Sequence, residues 1–285
     1  MADEDPARSL AARTAAELAL VRVASFYGGR PEFVLLGGLV PAILCSASDT
    51  HHAGTTDVDV QVDLEISAGS VNAARLEHAL RNADFRPDGT FIWRWKASSG
   101  PQGATVKFEL LADLHTQPAG ATIRFDHCDE LGAANLRGTG FAARDREVRV
   151  IATDDHDVRR EAEIYVTGLA GFLLAKTAAA YSRRKEKDWY DIAYVLLNND
   201  FGDPVAAARR AWHVFGISIA SAESALRDLE ANFADSATQG TGAYVSQVSL
   251  DHPGEDLPAA AADSQLAVQA FCAYLLSRLG RRDDS

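Results

Sequence analysis

The chain has 285 residues, 47% of them hydrophobic and 24% charged; this suffices to bury one large core or two moderate ones and excludes a disordered, collagenous or fibrous protein. A formal net charge of -12 argues against a surface coated in positive charge for non-specific DNA binding, yet leaves room for a local basic patch and an RNA substrate. Cys45, Cys128 and Cys272 are far apart, odd in number and lack CxxC spacing, so reduced thiols are expected rather than a disulfide framework or a zinc site.

The N-terminal MADEDPARSL is acidic and is not followed by the apolar stretch of a signal peptide, and no apolar run approaches the ~20 residues needed to span a bilayer. A cytoplasmic protein with no membrane partner is expected. Strong helix formers with helically spaced apolar positions predict a helix over residues 7–27, stopped by GGRP at 28–31. EFVLLGG at 32–38 reads as a buried strand ending in Gly37 and Gly38, and LVPAILCSAS reads as a helix with Pro41 in its first turn. TTDVDVQVDLEI at 55–66 alternates with period two and predicts one half-buried strand. A helix is expected over 67–85, capped by Ser67 or Ser70. FIWRWKA (91–97) and ATVKFELLADL (104–114) flank a turn, SSGPQG, and predict a hairpin. A weaker strand is expected at 121–127, and another at the end of 141–152.

After about residue 160 the pattern turns helical: through GLAGFLLAKTAAAYSRRKEKDWYDIAYVLLN, at 203–213 and 221–233, and at about 264–279. The Gly, Ser, Asp and Pro content of 234–262 predicts a long loop. The reading is therefore an α/β (α+β) domain with a mixed sheet over 1–160, then a helical domain over 161–285.

The sharpest chemical signal is Asp57 and Asp59. Two apart on a strand, they point to one face with Cα atoms about 6.5–7 Å apart and can converge on a hard cation such as Mg²⁺. Alone, the pair is a weak signal and reads first as the solvated polar face of an ordinary strand. Gly37 and Gly38 add a bend where backbone N–H groups can approach a phosphate, with the following helix aimed at it. In VKFELLADL, Glu109 is a mid-strand acid among bulky apolar residues, a setting that calls for a partner or a metal. It is a candidate third ligand or proton acceptor, with Asp113 the competing choice. On a continuous helix, Lys176, Arg183, Lys187 and Asp191 would fall within about 80° of one another, a stripe that could grip a triphosphate or be a solvated charged face with internal ion pairs. His51 and His52 match no metal-ligand spacing and read as solvated or substrate-facing. Trp93, Trp95, Trp189 and Tyr190 read as core, with base stacking the alternative. Arg183, Arg184, Lys185 and Lys187 form the best basic patch, for nucleic acid or as a plain helix end.

LLGG followed by Thr55 in TTDVDV resembles the signature of the polymerase-β-like nucleotidyltransferase superfamily. Lys176, then Arg183 or Arg184, then KDWYDI with Asp188 and Asp191, resembles the AbiEii-type toxins, the MenT group among them; the likeness covers roughly residues 30–200. The resemblance implies a nucleotidyltransferase fold whose helical domain completes the nucleotide-binding cleft. It implies Mg²⁺ on Asp57, Asp59 and Glu109, and a nucleoside triphosphate (NTP) held by Gly37, Gly38, Thr55, Lys176 and Arg183. Asp188 or Asp191 would position the lysine or the nucleotide. It further implies the toxin of a toxin–antitoxin pair, with tRNA or another RNA as acceptor and a cognate antitoxin protein as partner. Two positions depart from the pattern: Ala53 stands where the family usually has Arg, and Glu109 where Asp is common. The competing expectations are a non-catalytic nucleotide-binding or interaction protein on a decayed transferase scaffold, and a small-molecule (aminoglycoside-like) nucleotidyltransferase.

Overall fold

The computed structural model describes residues 8–99, 104–155 and 158–280, and the chain divides into two compact units, Met1–Val40 with Ala53–Thr167, and Pro41–His52 with Gly168–Ser285. The extreme N-terminus and the centre of the SSGPQG turn lie outside the described residues.

The first unit is a mixed α/β structure on a nine-stranded mixed sheet. Helix α1 (Leu10–Tyr27) starts where the Ser9 hydroxyl accepts from the Ala12 N–H and ends at Gly28 in the left-handed conformation. Strand β1 (Val34–Leu36) leads through a 3-10 turn, Gly37–Leu39, into the short helix α2 (Val40–Leu44). Strand β2 (Asp57–Gln61) is followed by α3 (Asp63–Ala68) and α4 (Ser70–Asn82). Next come β3 (Arg86–Asp88), β4 (Phe91–Ser99), β5 (Ala104–Ala112), β6 (Thr122–Arg124), β7 (Gly132–Asn135), α5 (Gly140–Arg144), β8 (Arg146–Asp155) and β9 (Val158–Thr167). The main strand order is β3-β4-β5-β2-β1-β9-β8, with β7 beside β5 and β6 beside β7. Val58, Val60, Phe108, Leu110 and Trp95 are fully buried on one side of the sheet. Helix α1 packs against strands β2, β4, β5, β8 and β9 and against α4.

Three expectations change here. The single strand over 55–66 stops at Gln61, and DLEISA coils into α3. Distant partners claim its acids: Glu65 is fully buried, accepting from the Glu32 N–H (2.8 Å) and the Tyr27 hydroxyl (3.0 Å), while the Asp63 carboxylate takes the Asp113 N–H (3.0 Å). Gly69, at φ +97°, separates α3 from α4, so 67–85 is not one helix. Strands β3, β7 and β9 were not expected; β9 hides its period because most of its first six residues are charged and exposed.

The second unit is helical: α6 (Leu169–Arg183), α7 (Glu186–Asn198), α8 (Pro204–Phe215), α9 (Glu223–Asn232), α10 (Gln239–Asp251) and α11 (Leu257–Gly280). The long loop expected over 234–262 is in large part α10. Its glycine is a packing device: a Cβ on Gly240 would collide with the Phe233 ring and the Asn232 carbonyl. Residues 41–52 belong with this unit because α7 and the turn after it bind them. The Asp200 carboxylate accepts from the Ser46 and Ala47 N–H groups (3.1 and 2.9 Å), and the Tyr194 hydroxyl donates to the Thr50 carbonyl (2.6 Å). No helix among the described residues is long and apolar enough to cross a membrane.

Candidate functional site

Residues paired across neighbouring strands point to the same side of a sheet. Asp57 and Asp59 on β2 stand in register with Lys107 and Glu109 on the parallel β5, and these in turn with Lys96 and Arg94 on β4. The face opposite the valine-rich core therefore carries a row Asp57, Lys107, Lys96 and, one step along, Asp59, Glu109, Arg94. Leu36, opposite Asp59 on β1, and Leu111 continue this face into a small apolar cluster with Ala134 and with Ala142 of α5. The three expected acids thus share one face on adjacent strands.

The glycine bend lies against them. Gly37 has φ +80°, and a Cβ there would run into the Asp59 carboxylate. At Gly38 a Cβ would stand 3.0 Å from the Thr55 side chain, whose hydroxyl accepts from the Asp57 N–H (3.0 Å). Thr55 thus bridges the bend and the first aspartate. The helix beyond the bend is only five residues, Val40–Leu44, so any phosphate contact rests on N–H groups of the bend rather than on a helix dipole. Ala53 is buried where the resemblance expects arginine. A different guanidinium reaches this loop: Arg8 Nε donates to the Gly54 carbonyl (3.2 Å).

Glu109 is not turned toward the two aspartates alone. Its Oε1 accepts from Arg94 Nε at 2.6 Å, with both side chains largely shielded from water. Among the described residues no group of three or more His, Cys, Asp or Glu side chains is arranged to hold a metal ion. Asp57 and Asp59 still offer the hard oxygen donors that suit Mg²⁺, beside a bend where no side chain intervenes. Asp113, the competing third acid, has a structural task. It accepts from the Gly138 and Gly140 N–H groups (2.9 and 3.2 Å) and pairs with Arg137 (3.2 Å), fixing the loop before α5.

In the helical unit the expected continuous stripe is broken. Arg184 takes a left-handed conformation (φ 51°) and α6 gives way to α7. The corner itself gathers the residues. Lys176 Nζ lies 3.0 Å from Asp188 Oδ1 and 2.7 Å from Asp191 Oδ2, and Arg183 grips Asp188 through Nε (2.6 Å) and Nη2 (2.7 Å). Burial by itself would push the Asp188 carboxyl up, but the Lys176 and Arg183 cations outweigh it and hold Asp188 below the usual aspartate range. Lys176 is buried, donating to Asp188 and forming an ion pair with Asp191. Of the basic patch, Arg184 pairs with Asp228 (2.7 Å).

His52 overturns its expectation. Its imidazole is buried, with Nε2 2.9 Å from Asp191 Oδ1 and the ring against Tyr190 and Tyr194. A buried carboxylate needs partners: Asp191 has Lys176 of α6 on one side, and the loop brings His52 to it. Trp95, Trp189 and Tyr190 are core residues, and Trp93 is partly buried.

The chain matches no protein-family model, no curated protein and no solved structure. Any functional reading therefore stands on this geometry and on the sequence resemblance.

Arg94, Lys107 and His52 are the site residues that sequence reasoning missed. For Arg94 a signal existed: Trp-Arg-Trp-Lys alternates, and folding the hairpin back puts its cations on the Glu109 side. For His52 there was none, because its partner lies 139 residues away.

Proposed function

We propose that this chain is a Mg²⁺-dependent nucleotidyltransferase that moves a nucleoside monophosphate from an NTP to a hydroxyl acceptor. One observation carries the reading: Asp57, Asp59 and Glu109 occupy a single sheet face in register, against a glycine whose position admits no side chain beside Asp59.

Asp57 and Asp59 would hold Mg²⁺, which when bound supplies Lewis-acid relief of charge on the phosphate oxygens. The N–H groups at Gly37 and Gly38 would orient the triphosphate. The acceptor hydroxyl attacks the α-phosphorus, the α–β phosphoanhydride bond breaks, and pyrophosphate leaves. Glu109, exchanging its hold on Arg94, would accept the hydroxyl proton. The resemblance assigns triphosphate recognition to Lys176 and Arg183. In the helical unit Asp188 and Asp191 fix where these cations point, so a phosphate would exchange for a carboxylate oxygen there. By the same resemblance the acceptor is RNA, with tRNA foremost, and the role is that of a toxin held by a cognate antitoxin.

A second reading has one observation in its favour, the Arg94–Glu109 pair that occupies the third acid. It is a nucleotide-binding protein without transfer activity. One experiment separates the two. The protein is incubated with each α-³²P-labelled NTP, Mg²⁺ and tRNA or total RNA, beside Asp57→Ala and Lys176→Ala, while pyrophosphate release is followed. Label on RNA that disappears in both variants supports the transferase. Nucleotide binding by calorimetry with no label and no pyrophosphate from any NTP would refute it in favour of the second reading. Pyrophosphate release without RNA labelling would point to a small-molecule acceptor.

A further inference from the structure

The two ends of the main strand order are built differently. At one edge, β3 is three residues long, contains Pro87 and has a register shift between Pro87 and Asp88. A short edge, a proline and an irregularity are the means by which proteins keep a sheet from pairing with another chain. At the other edge, β8 is ten residues long, has no proline, and pairs with β9 unbroken from Arg146↔Thr167 to Asp155↔Val158. Among the described residues no strand pairs with its outer side.

The two faces of β8 also differ. Thr153 and Asp155 are buried on the face toward α1, where Asp155 is gripped by Arg22 (2.6 Å). On the opposite face Arg146, Val148, Val150 and Asp154 are exposed, with Val148 at 43% and Val150 at 57%. The strand is thus basic at its start, bare and apolar in its middle and acidic at its end, which makes it complementary to itself when reversed.

We propose that a second copy of this chain pairs along β8, antiparallel about a two-fold axis through Val150, so that one sheet runs through the dimer. A two-fold axis perpendicular to the sheet keeps each face on its own side, so only even-numbered residues meet even-numbered ones. Centred on Val150, the exposed face pairs Arg146 with Asp154 at both ends, Val148 with Ala152, and Val150 with its own copy. The face toward α1 pairs Glu147 with Thr153 and Arg149 with Ile151. The single like-charge encounter, Asp145 with Asp155, falls at the end of the strand, where Arg22 and Arg160 already answer Asp155. The two registers shifted toward the acidic end are worse. Centring on Ile151 sets Glu147 against Asp155 and Val148 against Asp154, and centring on Ala152 sets Val150 against Asp154. Charge also singles out this edge. The chain as a whole carries -12, which resists self-association, but β8 and β9 together hold four arginines against five acids. This inference does not depend on the transferase reading.

Sedimentation of the full chain over about 1–100 µM, the range suited to a modest interface, should show the mass rising from 30.6 kDa toward twice that value. Arg146→Asp and Asp154→Arg each turn both end pairs into like-charge pairs and should weaken the dimer about tenfold or more. Mixed together, the two variants regain opposite charges at both ends and should form a heterodimer. Val150→Lys should leave a monomer with wild-type circular dichroism. In wild-type protein, hydrogen exchange of the 146–155 amides should slow at high concentration, a readout that needs no variant to fold. A chain that stays monomeric across the range overturns the proposal, even if another protein binds β8. So does a dimer that survives Val150→Lys, or a mixture of the two charge reversals that stays monomeric.

Discussion

Gly37 is the most exacting test of how the bend and the acids fit together. In Gly37→Ala two costs arise. The first is backbone strain: at φ +80° an L-residue loses roughly 1–2 kcal/mol. The second is steric. The new Cβ would overlap the Asp59 carboxylate, and it would stand 2.7 Å from Asp59 Cγ and 2.8 Å from Asp59 Cβ, against a comfortable carbon–carbon separation of about 3.5–4.0 Å. Rotating the carboxylate away cannot relieve the approach to Cβ, so the end of β1 must move off β2. Such overpacking adds about 1–3 kcal/mol. Gly28→Ala isolates the first cost, because Gly28 has φ +74° and its nearest neighbour is the flexible end of Arg75 at 3.7 Å. Both glycines lie in the same unit, so one urea transition followed by circular dichroism reads both variants. Gly37→Ala should be the less stable by about 1–3 kcal/mol, and it should lose the proposed nucleotidyl transfer while Gly28→Ala retains it. Equal destabilisation, or a Gly37→Ala protein with undiminished transfer, would refute the account of the bend.

Two further outcomes follow from burial. Glu65 is pushed by desolvation from an ordinary glutamate value of 4.5 up to about 7, against the opposing pull of the Glu32 N–H and the Tyr27 hydroxyl. The folded state then holds a proton that the unfolded chain has released, so Glu65 favours folding below pH 4.5, and that contribution is lost as the pH rises through 7. The loss is on the order of 3 kcal/mol. Glu65→Gln should therefore be more stable than wild type at pH 8, with the difference shrinking toward pH 5 in urea titrations; a pH-independent difference would contradict this. In α10, Gly242→Ala should stabilise by about 0.5–1 kcal/mol, since nothing stands near its Cβ, whereas Gly240→Ala should destabilise through Phe233. Thermal melts showing the same sign for both would undo the packing explanation of the α10 glycines.

The legible parts of the sequence were those whose signal is local. The alternation in TTDVDV placed Asp57 and Asp59 on one face, and the same period in VKFELLADL placed Glu109 on a matching face. Helix α1 and the helices over 204–215 and 223–232 announced themselves by composition and period. What escaped was set by distant partners. DLEISA alternates like a strand but becomes a helix because Glu65 and Asp63 are claimed by backbone N–H groups elsewhere in the fold. QGTGAYVSQ has the composition of a loop, yet Gly240 is there to let Phe233 approach. His52 looked like a solvated loop residue until α7 brought Asp191 to it.

Arg94 and Glu109 bear on the chemistry in a way that burial alone dictates. Asp57, Asp59 and Glu109 stand on neighbouring positions of one face, and three carboxylates so placed repel one another unless cations are interleaved. The sheet interleaves them: Lys107 is in register with Asp57, and Arg94 with Glu109. The face is thus close to neutral with no ion bound, which lets the acids sit together without unfolding the strands. The same arrangement sets a condition on any divalent ion there. It gains Asp57 and Asp59 directly, but it gains Glu109 only by displacing a guanidinium held at 2.6 Å. Arg94 also lies 3.8 Å from Asp88 and over the Phe91 ring, so it keeps an acid and an aromatic neighbour when Glu109 turns away. The third acid is therefore the costliest of the three for an ion to recruit, and Glu109→Gln should disturb the Arg94 position before it disturbs Asp57 or Asp59.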